Sequence, residues 1–170
     1  VGADDAIIDA ILVREGDKVA PPDRSGRISR WGITAAALSE HRGHSVTDAE
    51  ISQLSVTEAR DIYQTMYIFK PSFHLLGSEV LRATLVDYGV NSGTSTAVKA
   101  MQHALGVVPD GIIGAETLRA ANLKDGSRLS IRILCQRSRM LARLVHRDPT
   151  QVKYLEGWID RVMDQVEALV

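Results

Sequence analysis

A single cysteine, Cys135, stands in this chain of 170 residues, so no internal disulfide can form and a disulfide-built secreted scaffold is excluded. Cys135 lies in an apolar helical pattern and reads as a buried thiol. Aromatic residues make up only 5% of the chain, and none is interleaved with the arginines of its C-terminal half, which argues against a stacking surface for nucleic acid. The formal net charge of −1 gives no global attraction to a polyanion. No apolar run approaches the length of a membrane span, and the N-terminus lacks the basic-then-apolar order of a secretory signal. His41, His44, His74, His103 and His146 show no metal-ligand spacing. No serine sits in a Gly-x-Ser-x-Gly setting and Cys135 has no basic partner nearby in sequence, so acyl transfer lacks a nucleophile. Phosphate-loop and dinucleotide fingerprints are both missing. What the chain does have is 45% hydrophobic and 24% charged content, enough for one core in two lobes.

The opening segment carries apolar residues at Ile7, Ile8, Ile11 and Leu12, the stripe of an amphipathic helix that ends at Glu15. Asp4 and Asp5 fall in its first turn, where carboxylates complement the exposed N–H groups, and Gly16 supplies a residue able to leave the helix with positive φ. A carboxyl at the negative end of the peptide dipoles that apolar neighbours also desolvate holds a proton near neutral pH. That is the property a glycosidase needs in the acid that protonates a leaving sugar oxygen. An isolated Glu-Gly pair would be read as a solvated helix end. The segment that follows changes the odds.

From Asp17 to Thr34 the chain carries Pro21, Pro22, Gly26 and Gly32 among short polar residues, which predicts a loop folding into a small irregular hairpin facing Glu15. The spacing of Glu15, Asp23 and Ser29 resembles the Glu, Asp and Thr constellation of phage-type lysozymes, with Ser29 at the Thr position. Glu15-Gly16 followed by Arg30-Trp31-Gly32-Ile33-Thr34 also resembles the signature of glycoside hydrolase family 108. Two departures stand out: Asp17 replaces the second glycine of Glu-Gly-Gly, and the interval from Asp23 to Gly32-Ile33-Thr34 is one residue longer than the family pattern. Farther on, Asp87-Tyr88-Gly89-Val90-Asn91-Ser92-Gly93 is similar to another segment of that family. Leu105-Gly106 with Asp110-Gly111-Ile112-Ile113-Gly114 and Thr117 resembles its peptidoglycan-binding half, and Gly157-Trp158 followed by Arg161 resembles its C-terminal signature. Four signatures in the right order are far more specific than any one.

The remaining segments read as helices. Thr47 with Glu50 and Ser55 with Glu58 both fit the capping box. The second of these opens a helix over about 56–69 with Ala59, Ile62, Tyr63, Met66 and Tyr67 on one face, closed by Pro71. Core packing is the first reading of Tyr63 and Tyr67; contact with a sugar is the sharper one. Glu79 to Val90 forms another helix, ended by Asn91-Ser92-Gly93, where Asn91 either turns the chain or donates to a sugar. Asp110 and Thr117 read as structural. Arg128, Arg132, Arg139 and Arg143 fall within about 60° of one another on a helical wheel, with Leu134, Leu141, Leu144 and Val145 opposite. This stripe is a solvated face with acidic partners in Asp160 and Glu167, or it attracts an anionic polymer.

The resemblance implies a mainly α, lysozyme-like fold with a small β-hairpin next to the N-terminal helix. Residues 1–85 are the expected glycosidase lobe with catalytic helix and hairpin, and residues 86–170 the helical, peptidoglycan-binding-like lobe. The implied activity is that of a muramidase cutting the β-1,4 bond between N-acetylmuramic acid and N-acetylglucosamine. Glu15 is the implied general acid, with Asp23 and Ser29 stabilising the developing positive charge or placing the attacking water. Trp31, Thr34, Tyr63 and Asn91 are the substrate-binding candidates. No metal or organic cofactor is implied. The expected partner is the glycan strand of peptidoglycan, met in the periplasm after release or export, by a monomer with neither nucleic acid nor stable membrane insertion. A non-catalytic wall-binding module and a lytic transglycosylase remain alternatives at this point.

Overall fold

Asp5 starts the first helix by accepting the Gly2 N–H at 3.0 Å, and α1 (Ala3–Glu15) then buries Ile7, Ile8, Ile11 and Leu12, the expected stripe. These coordinates come from a computed structural model that describes residues 2–19 and 28–169. Contacts within the chain divide it into two units, Val1–Lys70 and Pro71–Val170.

In the first unit α1 ends at Gly16, whose N–H bonds to Leu12 O at 3.0 Å and whose φ is 70°. Two short antiparallel strands follow, β1 (Ser29–Arg30) and β2 (Ile33–Thr34), with Ser29 opposite Thr34 and Arg30 opposite Ile33. The two-residue turn between them has φ of 54° at Trp31 and 73° at Gly32. Positive φ at both central residues is the turn whose twist suits a tight hairpin. Thr34 closes β2 and caps α2 (Ala35–Arg42), its hydroxyl accepting from Ala37 N at 3.3 Å.

Helix α3 (Asp48–Ser52) opens with the reciprocal capping box of Thr47 and Glu50. At α4 (Val56–Tyr63) only half of the expected box forms. Ser55 Oγ accepts from Glu58 N at 3.1 Å, whereas the Glu58 carboxylate is drawn to Arg42, which grips it through Nε at 2.8 Å and a second nitrogen at 2.9 Å. A bidentate guanidinium outcompetes one backbone N–H for the carboxylate. The predicted α-helix to about residue 69 also changes pitch, for Gln64–Phe69 is a π-helix, with Lys70 N bonded to Thr65 O at 2.8 Å. The wider turn moves burial to Ile68, while Met66 and Tyr67 are half-buried.

The second unit is helical among the described residues: α5 (Glu79–Ser92), α6 (Thr94–Leu105), α7 (Ala115–Asn122), α8 (Gly126–Arg147) and α9 (Val152–Glu167). Helix α5 packs on α6 and α8, and α8 on α9. Leu134, Leu141 and Val162 form an apolar seam between α8 and α9, flanked by Met140, Trp158 and Ile159. Buried Gln102 organises the loop after α6. Its amide donates to Asp110 Oδ1 at 2.7 Å, Ile112 O at 2.9 Å and Thr117 Oγ1 at 3.1 Å, and accepts from Gly111 N at 2.8 Å. Asp110 and Thr117 are thus occupied within the protein.

Cys135 corrects the sequence reading, because it is exposed. At 100° per residue it falls beside the arginine stripe rather than on the side of Leu134 and Leu141. Asp160 and Glu167 also fail to partner that stripe: neither makes an ion pair among the described residues. The carboxylate that gathers arginines in this unit is Asp87.

Candidate active site

Glu15 is half-buried at the C-terminal end of α1, and the hairpin turn closes directly upon it. A Cβ built on Gly32 would lie 2.9 Å from Glu15 Cγ, 3.1 Å from Glu15 Cδ and 2.6 Å from Tyr63 Oη. Only glycine, with no Cβ and free access to positive φ, lets the backbone approach both side chains at that position. Glu15, the Trp31-Gly32 turn and Tyr63 therefore form one cluster, drawn from α1, the hairpin and α4.

Several polar ties hold the turn in its unusual conformation. Positive φ at a residue as bulky as tryptophan is strained, costing on the order of 1–3 kcal/mol unless its surroundings over-determine it. Tyr63, fully buried, donates its hydroxyl to Trp31 O at 2.8 Å, and Trp31 Nε1 donates to Leu54 O at 3.2 Å. Arg30 spans the base of the hairpin. Its Nε donates to Asp17 O at 3.1 Å and its Nη1 to Ser52 O, joining the stretch just after Glu15 to the end of α3. Arg30 also lies 6.0 Å from the centroid of the Trp31 ring.

Tyr67 completes the surroundings. Its ring centroid is 5.3 Å from that of Tyr63, and its phenol is pushed above the usual tyrosine value, first by burial and then by the charges of Glu40 and Glu15. A neutral phenol close to Glu15 is a hydrogen-bond donor at every physiological pH.

Of the residues singled out from sequence, Glu15, Trp31 and Tyr63 come together. Ser29 and Thr34 face each other across the hairpin, and the Thr34 hydroxyl is engaged as a helix cap. Asp23 lies outside the described residues. Asn91 belongs to the second unit, on α5, where its amide donates to Asp87 O at 3.0 Å. It lines a cavity of about 230 Å³ with Arg137 and Trp158. The sequence reading passed over Arg30 and Gly32 as site residues. Their signal was the hairpin itself, where a two-residue turn demands positive φ and a neighbouring long donor is placed to brace it.

Asp87 is the electrostatic centre of the second unit. It is 5% exposed and accepts from Arg137 Nη1 at 2.8 Å, Arg161 Nε at 3.0 Å and Gln165 Nε2 at 2.7 Å. Burial alone would raise its carboxyl, but Arg161 and then Arg137 hold it below the usual carboxylate range. Arg137 is itself 2% exposed and stacks 5.0 Å from the Tyr88 ring centroid. Two family-like signatures far apart in sequence, one containing Asp87 and the other Arg161, thus meet in one ion-pair network. Among the described residues no group of three or more His, Cys, Asp or Glu side chains is placed to hold a metal ion.

Residues 8–93 match the family described as Glycosyl hydrolase 108, and residues 96–163 match the Predicted Peptidoglycan domain. The solved structure of Brucella abortus SagA is similar to this chain, with 31% sequence identity and a TM-score of 0.86, covering 99% of this chain and 94% of that one. No curated protein matches the chain. The likeness makes the fold mainly α and lysozyme-like, with its hairpin near the N-terminal helix.

Proposed function

Because the chain belongs to the glycosyl hydrolase 108 family and is a glycoside hydrolase of peptidoglycan, we propose that Glu15 is the general acid that cleaves its glycan strand. The bond cut is the β-1,4 link between N-acetylmuramic acid and N-acetylglucosamine. The observation that carries this reading is the closure of the Trp31-Gly32 turn on the Glu15 stem. A strained, over-determined backbone segment placed against one carboxyl is how a fold fixes a reacting group.

Glu15 gives its proton to the glycosidic oxygen as the bond to the anomeric carbon lengthens and positive charge grows on the sugar ring. Asp23 and Ser29 stabilise that charge or place the attacking water. Trp31 and Thr34 shape the floor beside the acid. Tyr63 acts through the turn, since its hydroxyl is committed to Trp31 O. Tyr67 supplies a neutral donor in the field of Glu15. Action is on the periplasmic cell wall, by a monomer.

The test is digestion of purified sacculi by wild type and Glu15→Gln, followed by mass spectrometry of the released muropeptides. Reducing, hydrated muropeptides from wild type and none from the variant are expected. Anhydro-muramic products, lighter by one water, would make the protein a lytic transglycosylase. Equal release by both proteins would remove Glu15 from the mechanism, and no release by either would leave a wall-binding module.

A further inference from the structure

Helices α6 and α8 enclose a groove of about 460 Å³ in the second unit. Lys99 and His103 line it from α6, and Arg139 and Arg143 line it from α8. Each pair is four residues apart, so each helix presents both of its basic side chains on one face. Among the described residues no carboxylate lines the groove. Asp110, whose charge acts on Lys99, is held by the Gln102 amide and the Ile112 N–H.

Several other cations are paired with carboxylates. Arg42 holds Glu50 and Glu58, Arg60 holds Asp9, Lys70 holds Glu40, and Arg137 and Arg161 share Asp87. Lys99, Arg139 and Arg143 make neither an ion pair nor a hydrogen bond among the described residues, although all three are exposed at one concavity. Tyr88, 2% exposed, also lines the groove, and its hydroxyl has no hydrogen-bond partner among the described residues. A solvated basic face needs neither a concave shape nor a buried tyrosine whose hydroxyl lacks a hydrogen-bond partner. An anion-binding site uses both, for it brings several donors onto one ligand and shields them from water.

We propose that this groove binds the carboxylates of the peptidoglycan stem peptide, so that the second unit reads the peptide while the first acts on the sugar. The inference rests on peptidoglycan being the substrate, and it adds which part of the polymer the α6–α8 groove recognises. In intact wall the glycan backbone is uncharged, because the muramic acid carboxyl is consumed in the amide to the stem. The stem carries the free carboxylates, and the groove carries their complement. Arg139 and Arg143 supply fork-shaped donors suited to a carboxylate; Lys99 adds a flexible point charge, and the Tyr88 hydroxyl adds one neutral donor.

The test is calorimetric titration of the full chain with a synthetic stem tetrapeptide bearing free carboxyl groups, and with the same peptide fully amidated. Wild type is expected to bind the free acid, more weakly as salt rises, and to bind the amidated peptide at least about tenfold less well. The double variant Arg139→Glu/Arg143→Glu is expected to lose about the same factor for the free acid while keeping its melting temperature, since both side chains are exposed. A saturating chitin oligosaccharide, which is neutral, should not compete. Undetectable tetrapeptide binding by wild type, equal binding of the two peptides, or an unchanged affinity in the folded variant would overturn the proposal. So would loss of phosphatidylglycerol vesicle binding in the variant with tetrapeptide binding intact, which assigns the groove to lipid. The titration uses no cleavage step, so loss of the Glu15 assignment leaves its result standing, and its failure leaves sacculus digestion unaffected.

Discussion

The two units hold themselves together by different means. Val1–Lys70 is made of short elements, and its functional corner depends on side chains that reach irregular backbone: Tyr63 to Trp31 O, Trp31 to Leu54 O, and Arg30 to Asp17 O and Ser52 O. Pro71–Val170 is made of longer helices that close over an apolar seam and one buried carboxylate shared by two arginines. The first pattern fixes the position of a few atoms around Glu15. The second stabilises a surface on which Lys99, Arg139 and Arg143 line one groove. Substitutions should therefore separate into those that remove activity with little unfolding and those that unfold the helical unit.

The largest effect tests that separation at the acid. Glu15→Gln is expected to lower the rate of reducing-end release by about 10²–10⁴-fold, the usual contribution of a general acid, with the thermal midpoint close to wild type. Next comes the centre of the helical unit. Asp87→Asn leaves Arg137 buried without its counter-charge and should cost about 3–5 kcal/mol in urea unfolding.

The same pair has a pH signature of defined sign. Asp87 is held below the usual range when folded, so its stabilisation is complete above the unfolded value of about 3.9 and is withdrawn as pH falls toward the folded one. Wild type should lose urea resistance over that acid interval, and Asp87→Asn should show a flatter pH profile there. An identical acid profile in both proteins would place the stability of this unit elsewhere.

Two smaller effects probe the turn. Gly32→Ala introduces a Cβ where none fits and a side chain at positive φ, so it should cost more than about 1 kcal/mol of stability and lower sacculus digestion by a larger factor than the unfolding free energy alone explains. Tyr63→Phe removes one buried hydrogen bond, worth about 1 kcal/mol. Its expected mark is a modest fall in kcat with binding of sacculi unchanged. If Tyr63→Phe weakens binding and spares turnover, Tyr63 touches substrate directly and the contrast between the units becomes less sharp.

Local signals carried the first helix and the hairpin well. The Ile7, Ile8, Ile11, Leu12 stripe is buried as its spacing predicts, because one face of an amphipathic helix has nowhere else to go. Thr47 and Glu50 form the box their spacing predicts. The Ser55 and Glu58 pair forms only half of one, since Arg42, sixteen residues from Glu58, offers a better partner. The π-helix at Gln64–Phe69 was hidden by a periodicity that α-helical spacing described almost as well. Cys135 and Arg137 were misjudged or passed over for one reason. The arginine stripe drew attention to charge, while the helical phase already put Cys135 with the exposed arginines and Arg137 with Leu134 and Leu141. A charged residue on an apolar stripe signals a buried partner, and that partner, Asp87, lies fifty residues away.

The order of motifs, the end of α1 at Glu15 and the mainly helical class follow from the sequence itself, because caps, glycines and apolar periods act over a few residues and need no distant partner. Tertiary structure alone decided that Gly32 would press on Glu15 and Tyr63, that Asp87 would join Arg137 to Arg161, and that Lys99 and Arg139 would share a groove. Those outcomes depend on which remote side chain wins each buried hydrogen bond or charge, and that competition is resolved only when packing excludes water.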